Sequence, residues 1–261
     1  MIKKLWSSAS GMLAQSLKID NIANNIANVN TEGFKKKDVA FQDLFYQNAG
    51  GPGRPVMPGE DESMLVGSGV KASGTRTSFV QGVPRETGRD LDFALEGEGF
   101  FRVQLPDGSE AFTRAGSFSR DAAGNLVTAQ GHLVELLPED LQGINGTTFI
   151  VDGKGHIQLM DVQGEVVGED RVALYRFKNP AGLEAQGNSL WVATDNSGEP
   201  EAGAPGEEGF GFIRQKYLES SNVSLVEEMT RLIMAQRAFE VSARSIRTAD
   251  EMWGMANQIR R

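Results

Sequence analysis

The sequence predicts an α+β protein: long N- and C-terminal helices pack together as a coiled-coil-like layer, and a mainly antiparallel all-β domain is inserted between them. Three observations predict this class. Apolar residues recur at spacings of three and four at both ends of the 261-residue chain. The middle contains short β-like runs that are separated by turn residues. The chain also has 31 glycines, above the usual share of about 7%, which indicates many turns.

The first element is a helix that starts near residue 5. Its apolar or small residues alternate at spacings of four and three, and this row is called the N-terminal seam. A second stripe through Trp6, Leu13 and Leu17 widens the apolar surface, so the helix needs more than one neighbour. We expect it to end near residues 28–30, because asparagines compete for backbone hydrogen bonds and Gly33 can adopt the left-handed conformation. The predicted residues of the N-terminal seam are Leu5, Ala9, Met12, Ile19, Ala23 and Ile26.

The last element is a longer helix with the same type of pattern, called the C-terminal seam. Ser224, followed three residues later by Glu227, fits a capping box at its start. About 35 residues from there would extend roughly 53 Å. Its small residues would let another backbone approach closely, which favours packing of helix on helix. The predicted residues of the C-terminal seam are Leu225, Leu232, Ala235, Phe239, Ile246, Ala249 and Trp253.

The region between the helices has the composition of a β domain. Residues 48–63 are rich in glycine and proline, which continue neither a helix nor a ladder, and predict a loop. The pairs Asp107-Gly108 and Asp152-Gly153 predict tight hairpin turns. Strands are expected over these runs: 93–105, 111–118, 126–128, 132–137, 147–151, 156–167, 172–177 and 189–194.

These elements divide the chain into three predicted parts. Residues 1–40 and 216–261 form a discontinuous helical domain, residues 41–64 an extended loop region, and residues 65–215 an outer β-rich domain. The formal net charge of −9 is unevenly spread, at +3 for residues 1–40, −13 for 41–215 and +1 for 216–261. An acidic middle therefore lies between two near-neutral ends.

Composition excludes several classes of protein. The absence of cysteine removes disulfides, thiolate catalysis and cysteine-ligated metals. No stretch approaches the roughly 18 uncharged apolar residues of a membrane-spanning helix, and the serine-broken N-terminus lacks the apolar core of a cleavable Sec signal. The acidic balance argues against nucleic acid or anionic lipid as the main partner.

Nothing in the sequence indicates an active site, a cofactor or a metal. His132 and His156 have no acid at a triad-like or metal-like spacing, so ordinary structural roles are expected. The acidic clusters lie beside glycine and proline, which favours solvated loops. The basic run at residues 35–37 is expected to form a solvated or interface-facing turn. We therefore expect a protein that is not an enzyme.

The two terminal helices expose more apolar surface than one acidic β domain could cover, and such surface marks assembly contacts. An alternative from the pattern alone is an intramolecular helical hairpin that caps the β domain. Another alternative, from a different class, is a ligand-binding β module with oligomerising ends.

Three segments of the sequence resemble the signature motifs of one protein family. ANNIANVNTEGFKK at residues 23–36 resembles the N-terminal signature of the bacterial flagellar rod and hook family. LEGEGFFRV at 95–103 resembles its β-domain core, and YLESSNVSLVEEMTRLIMAQRAFE at 217–240 its closing signature. The signature residues are Asn24, Asn25, Ala27, Asn28, Thr31, Gly33, Phe34, Gly97, Gly99, Phe100, Ser221, Asn222, Val223, Gln236 and Arg237.

The resemblance implies a structural subunit, most similar to the distal-rod members, that polymerises with copies of itself into a rigid hollow drive shaft. It implies contacts with other rod and hook proteins, with the surrounding ring proteins and with the type III export apparatus. It also implies export to the cell envelope without Sec cleavage, and neither nucleic-acid binding nor membrane insertion. A proximal-rod or hook protein is the alternative within the family.

The proline-containing loop carries a separate mechanical hypothesis. Pro52, Pro55 and Pro58 limit the freedom of residues 48–63. We expect this loop to brace neighbouring subunits and keep the rod straight.

Overall fold

The structure, a computed structural model, describes residues 2–48, 65–135, 148–160 and 166–259. These residues form two compact units. The helical unit contains residues 1–27, 37–76 and 224–261, and the β unit contains residues 28–36 and 77–223. Each unit is assembled from segments that are far apart in the sequence.

The helical unit contains the two long helices and two strand pairs. Strand β1 pairs with β4, and β2 pairs antiparallel with β3. The elements of this unit are α1 (Ile2–Ala27), β1 (Lys37–Asp43), β2 (Tyr46–Asn48), β3 (Leu65–Gly67), β4 (Val70–Thr77) and α2 (Leu225–Ile259).

Small side chains let the two helices pack closely. Ala14 of α1 and both Ala235 and Ala249 of α2 are buried. A Cβ atom at Gly11 of α1 would lie only 3.8 Å from the Ser242 hydroxyl of α2. Close approach of this kind is what alanine, glycine and serine permit, because they place few side-chain atoms between the backbones.

The β unit is built from short strands. Its largest sheet has seven strands in the order β16-β17-β8-β7-β11-β10-β9. The strands are β5 (Pro84–Glu86), β6 (Phe93–Glu96), β7 (Phe101–Gln104), β8 (Glu110–Thr113), β9 (Ser119–Arg120), β10 (Leu126–Val127), β11 (Leu133–Val134), β12 (Thr148–Val151), β13 (His156–Met160), β14 (Val166–Arg171), β15 (Leu174–Arg176), β16 (Glu184–Gly187), β17 (Leu190–Val192), β18 (Glu201–Gly203), β19 (Phe212–Gln215) and β20 (Tyr217–Glu219). A short 3₁₀ helix spans Pro180–Gly182.

Side chains cover both faces of this sheet, because successive residues of a strand point to opposite sides. On one face, Phe101 of β7 and Ala111 of β8 belong to an aliphatic and aromatic core. On the other, Phe112 of β8 packs against Phe177 with their ring centroids 4.8 Å apart at 84°. Such edge-to-face packing is favourable for aromatic rings. The β unit therefore has a substantial core of its own.

The predicted fold class is confirmed: N- and C-terminal helices pack together, and an antiparallel β-rich region is inserted between them. Both predicted hairpins are present, since β7 pairs with β8 across Asp107-Gly108 and β12 with β13 across Asp152-Gly153. Several short strands carry no sequence signal. In β16, for example, all four residues are exposed, so no apolar alternation could indicate it.

Candidate assembly surface and buried polar anchors

Both helices leave large apolar side chains in water. Trp6 is 72% exposed on α1, and Val226 is 76% exposed on α2. Single exposed apolar residues are ordinary, but many on two adjacent helices are typical of an association surface. We call this set the apolar helix surface. It consists of Trp6, Leu13, Leu17, Val226, Met229, Ile233, Met234, Val241, Met252 and Met255.

Part of this surface could have been found in the sequence. The second stripe on α1 contains Trp6, Leu13 and Leu17, and all three are exposed. On α2, the predicted seam does not include Val226 and Ile233. Their spacing of seven, with Met229 between them, is the signal for a second stripe.

The structure distributes the predicted seam residues over three environments. Two alanines of α2 are buried, six large residues are half-buried, and five residues are exposed. The buried ones are Ala235 and Ala249, the half-buried ones are Leu5, Met12, Ile19, Ile26, Leu232 and Ile246, and the exposed ones are Ala9, Ala23, Leu225, Phe239 and Trp253.

A groove of about 610 Å³ lies within the helical unit. Leu5 contributes to it from α1, Val241 and Met252 contribute from α2, and Gly67 lines it from β3. Arg244, Ala249 and four hydroxyl side chains complete its wall. The groove is continuous with the apolar helix surface, because Val241 and Met252 belong to both.

One signature asparagine is an anchor inside the helical unit. Asn25 is fully buried. Its amide accepts a hydrogen bond from the Lys37 backbone N–H at 3.0 Å and donates one to the Lys37 carbonyl at 2.8 Å. The same Nδ2 lies 3.1 Å from a carboxylate oxygen of Glu228, which is buried on α2. Asn25 thus joins α1, β1 and α2.

A second anchor lies inside the β unit, where the carboxylate of Glu219 meets two cations. The Lys35 Nζ atom is 2.6 Å from Oε1, and the Arg114 Nη1 atom is 3.4 Å from Oε2. The exposed fractions of the Lys35, Glu219 and Arg114 residues are 1%, 1% and 4%. The expectation that the basic run forms a solvated or interface-facing turn is therefore wrong for Lys35, which is buried inside the β unit. Its ion partner is 184 residues away in sequence, and local composition cannot show such a partner.

Burial perturbs both cations. It lowers the pKa of the Lys35 ammonium to about 8, because the charged form loses hydration; Glu219 opposes this shift, and the Arg114 charge adds to it. Burial also lowers the pKa of the Arg114 guanidinium, with Glu219 and Glu98 opposing. The attraction of the Glu219 carboxylate therefore compensates only part of the hydration free energy that the two cations lose on burial.

The signature glycine at residue 33 is required by its backbone. Gly33 has φ = +64°, which most side chains disfavour. A Cβ atom there would lie 2.6 Å from the Ala115 nitrogen. Its own N–H donates to the Glu219 carbonyl at 2.9 Å. This position therefore admits only glycine without rearrangement.

The remaining signature residues occupy varied environments. Phe100, Gly99 and Val223 are buried in the β unit, and Asn222 is half-buried with three hydrogen bonds to its side chain. Asn28, Phe34 and Ser221 are also half-buried, whereas Asn24, Ala27, Thr31, Gly97, Gln236 and Arg237 are exposed.

The bracing loop with Pro52, Pro55 and Pro58 lies outside the described residues. Within the described ranges, no group of three or more histidine, aspartate or glutamate side chains could hold a metal ion. In the same ranges, neither helix combines the length and apolar character needed to cross a membrane.

Three protein-family models match separate parts of the chain. "Flagella basal body rod protein" matches residues 5–35, "Flagellar hook protein FlgE/F/G D1 domain" matches residues 94–159, and "Flagellar basal body rod FlgEFG protein C-terminal" matches residues 214–259. The first and last cover most of the two helices, and the middle one covers much of the β unit.

Relatives match over the full length. The flagellar basal-body rod protein FlgG of Borreliella burgdorferi is 43% identical, with 100% of both chains covered. FlgG of Caulobacter vibrioides is 40% identical over 99% of this chain and 100% of its own. The flagellar hook protein FlgE of Helicobacter mustelae is 41% identical, but over only 52% of this chain and 30% of its own. The chain therefore belongs to the FlgG family of flagellar basal-body rod proteins.

Proposed function

We propose that this chain polymerises helically into the distal rod, a rigid hollow shaft that transmits torque to the hook and lets exported subunits pass. The family is structural, so the chain is a rod protein and not an enzyme. The rod and hook family supports assembly with other rod and hook proteins. What supports the rod assignment over a hook protein is the full-length match to FlgG proteins and the half-length match to FlgE.

The observation that carries the proposed polymerisation is the apolar helix surface. Burial of apolar area stabilises a contact by about 25 cal/mol per Å² before the costs of association. Side chains such as Trp6 and Val226 have most of their area in water. Contacts with further copies would bury them, and contacts of this kind that do not close on themselves produce a helical tube.

The outer contacts are proposed from charge and from the family. The acidic middle segment would lie towards the surrounding ring proteins, and the near-neutral ends would form the inner tube. Passage through the type III export apparatus to the periplasmic part of the basal body is proposed from membership of the family of flagellar basal-body rod proteins.

Replacing Ile233 by Asp tests the polymerisation. Ile233 is exposed on α2, so Asp should leave the subunit folded, and burial of an unpaired charge between copies should block assembly. We expect loss of rods and of motility in cells with this variant. The matched control is Gln130→Asp, which adds the same charge at an exposed turn position of the β unit, away from the apolar helix surface. Normal rods with Ile233→Asp would contradict the assigned surface.

Substitutions at Ile26 and Ile246 are a second, less selective test. Asp at either position is also expected to block assembly. Both side chains are half-buried within the helical unit, so these variants would also weaken the subunit itself. Circular dichroism of the purified variants separates the two effects, because only an assembly defect leaves the spectrum unchanged.

Deleting residues 48–63 tests the bracing hypothesis. If this segment braces adjacent subunits, the rod should still form and should become bendable, as a hook is. Electron micrographs of isolated basal bodies provide the measurement. A straight rod of normal stiffness in the deletion strain would refute the brace while leaving the rod assignment intact.

A further inference from the structure

Three segments of the β unit meet at Glu219, and we call this meeting point the Glu219 junction. They are residues 28–36, which follow α1, residues 77–83, and residues 219–223, which precede α2. The Glu219 carboxylate accepts hydrogen bonds from Lys35 Nζ at 2.6 Å and from the Gly82 backbone N–H at 2.7 Å. Its backbone carbonyl accepts from the Gly33 N–H at 2.9 Å. One residue therefore holds both other segments.

Asn222 makes the second set of connections at this junction. Its Oδ1 accepts from the Lys36 backbone N–H at 2.7 Å. Its Nδ2 donates to the carbonyls of Ser78 and Val80, each at 2.9 Å. The Ser78 N–H in turn donates to the Lys36 carbonyl at 2.8 Å. Like Glu219, Asn222 reaches both segments.

The middle segment is packed tightly against this point. A Cβ atom at Gly82 would overlap the carbonyl oxygen of Ser220. The Gln81 side chain donates to the Leu95 carbonyl at 3.0 Å and accepts from the Gly97 N–H at 2.9 Å. The segment is therefore tied to the sheet on one side and to the junction on the other.

The charges at the junction are unbalanced. Lys35 and Arg114 are both buried cations, and they share the one carboxylate of Glu219. Glu98, which is exposed, adds a more distant negative charge to Arg114. Removing the shared carboxylate would leave two buried cations facing each other, which is more costly than removing a cation.

We propose that the Glu219 junction is a closing latch: docking of residues 219–223 through Glu219 and Asn222 is what orders residues 28–36 and 77–83. Until that docking, the Lys36 and Gly82 N–H groups lack the side-chain acceptors described above. The latch partners are separated by 137 to 186 residues, so this local order depends on the arrival of the C-terminal part of the chain. The latch thus connects residues 28–36, which follow α1, with residues 219–223, which precede α2.

Substitution of Asn222 by Ala in the full-length chain tests the latch without leaving a buried charge. Amide hydrogen exchange, resolved by residue, is the measurement. We expect the amides of Lys36 and Ser78 to exchange at least about tenfold faster, while core amides such as that of Val103 in β7 keep their rates. The control is Asn30→Ala, an exposed asparagine of the same segment. Unchanged exchange at Lys36 and Ser78, or equal acceleration throughout the β unit, would overturn the proposal.

A charge series gives an independent test. Glu219→Gln should accelerate exchange at Gly33, Lys36 and Gly82 more strongly than the control Glu207→Gln, which affects an exposed ion pair with Arg171. The double variant Lys35→Met/Glu219→Gln removes one of the two cations and should recover part of the protection. If the double variant exchanges as fast as Glu219→Gln, or faster, the shared carboxylate is not what balances the two cations, and the charge part of the latch is refuted.

Discussion

Lys35 carries its ammonium group into the interior of the β unit, where it pairs with Glu219 beside a second cation, Arg114. Burial lowers its pKa to about 8, against 10.5 for the free side chain. Between pH 8 and pH 10.5, Lys35 is therefore protonated to a greater extent in the unfolded chain than in the folded chain. By linkage, the free energy of unfolding rises with pH in that interval as far as Lys35 alone is concerned.

We predict that Lys35→Met changes this pH dependence. The free energy of unfolding of wild type, minus that of the variant, should increase by about 2 to 3 kcal/mol between pH 7 and pH 10.5. Urea unfolding at a series of pH values measures the difference, and the exposed Lys154→Met is the control. A difference that stays constant over this range would show that Lys35 does not titrate in the folded chain with a lowered pKa.

The position of Lys35 shows the limit of sequence reasoning at the scale of a residue. A run of three lysines next to a turn usually lies in water, and the composition of residues 35–37 offers nothing against that. The deciding partner, Glu219, is 184 residues away. Gly33 is different, because glycine after a helix is a local signal for φ > 0, and the structure has +64° there.

At the scale of an element, both helices follow from the periodicity of their apolar residues, and α1 ends at Ala27, one residue before the predicted range. The periodicity does not show which side of each helix contacts its own partner. On α1, Ala14 and Ile22 are buried although neither lies on the predicted seam, whereas Ala9 and Ala23 of the seam are exposed. A helix with apolar residues on several sides gives the same pattern for internal and external contacts.

The close packing of α1 and α2 leads to a prediction for Ala235, which is buried on α2. Leucine at this position would add methyl and methylene groups where the helices approach, and overpacking of this kind costs typically 1–3 kcal/mol. We expect Ala235→Leu to lower the midpoint of thermal unfolding of the helices, followed by circular dichroism at 222 nm. Ala9→Leu is the control at an exposed position of α1, and an equal loss in both variants would argue against the assigned packing.

At the scale of the whole molecule, the chain keeps its two kinds of hydrophobic surface apart. The β unit buries its large aromatic side chains in two cores of its own. The apolar side chains that the described part of the helical unit buries are three alanines and Ile22, and it leaves tryptophan, valine and methionine side chains in water. The sequence predicts this contrast, because glycine-punctuated strands and long amphipathic helices are separate in the chain. The full set of segments that forms the helical unit could not be predicted, because β1 to β4 lack a strong strand pattern and still belong to this unit.

This contrast predicts different stabilities for the two units in the free and assembled protein. In a dilute solution of the subunit, amides of α1 and α2 should exchange much faster than those of β7 and β8, because the helices have few large buried side chains and stability follows buried contacts. In isolated rods, the helix amides should exchange more slowly than in the free subunit, because association with further copies stabilises the folded helices. The amides of β7 and β8 should keep their exchange rates. Hydrogen exchange with mass spectrometry measures both states of the same chain. Full protection of both helices in the free subunit would mean that their burial is complete without further copies, and the apolar helix surface would then have no role in building the tube.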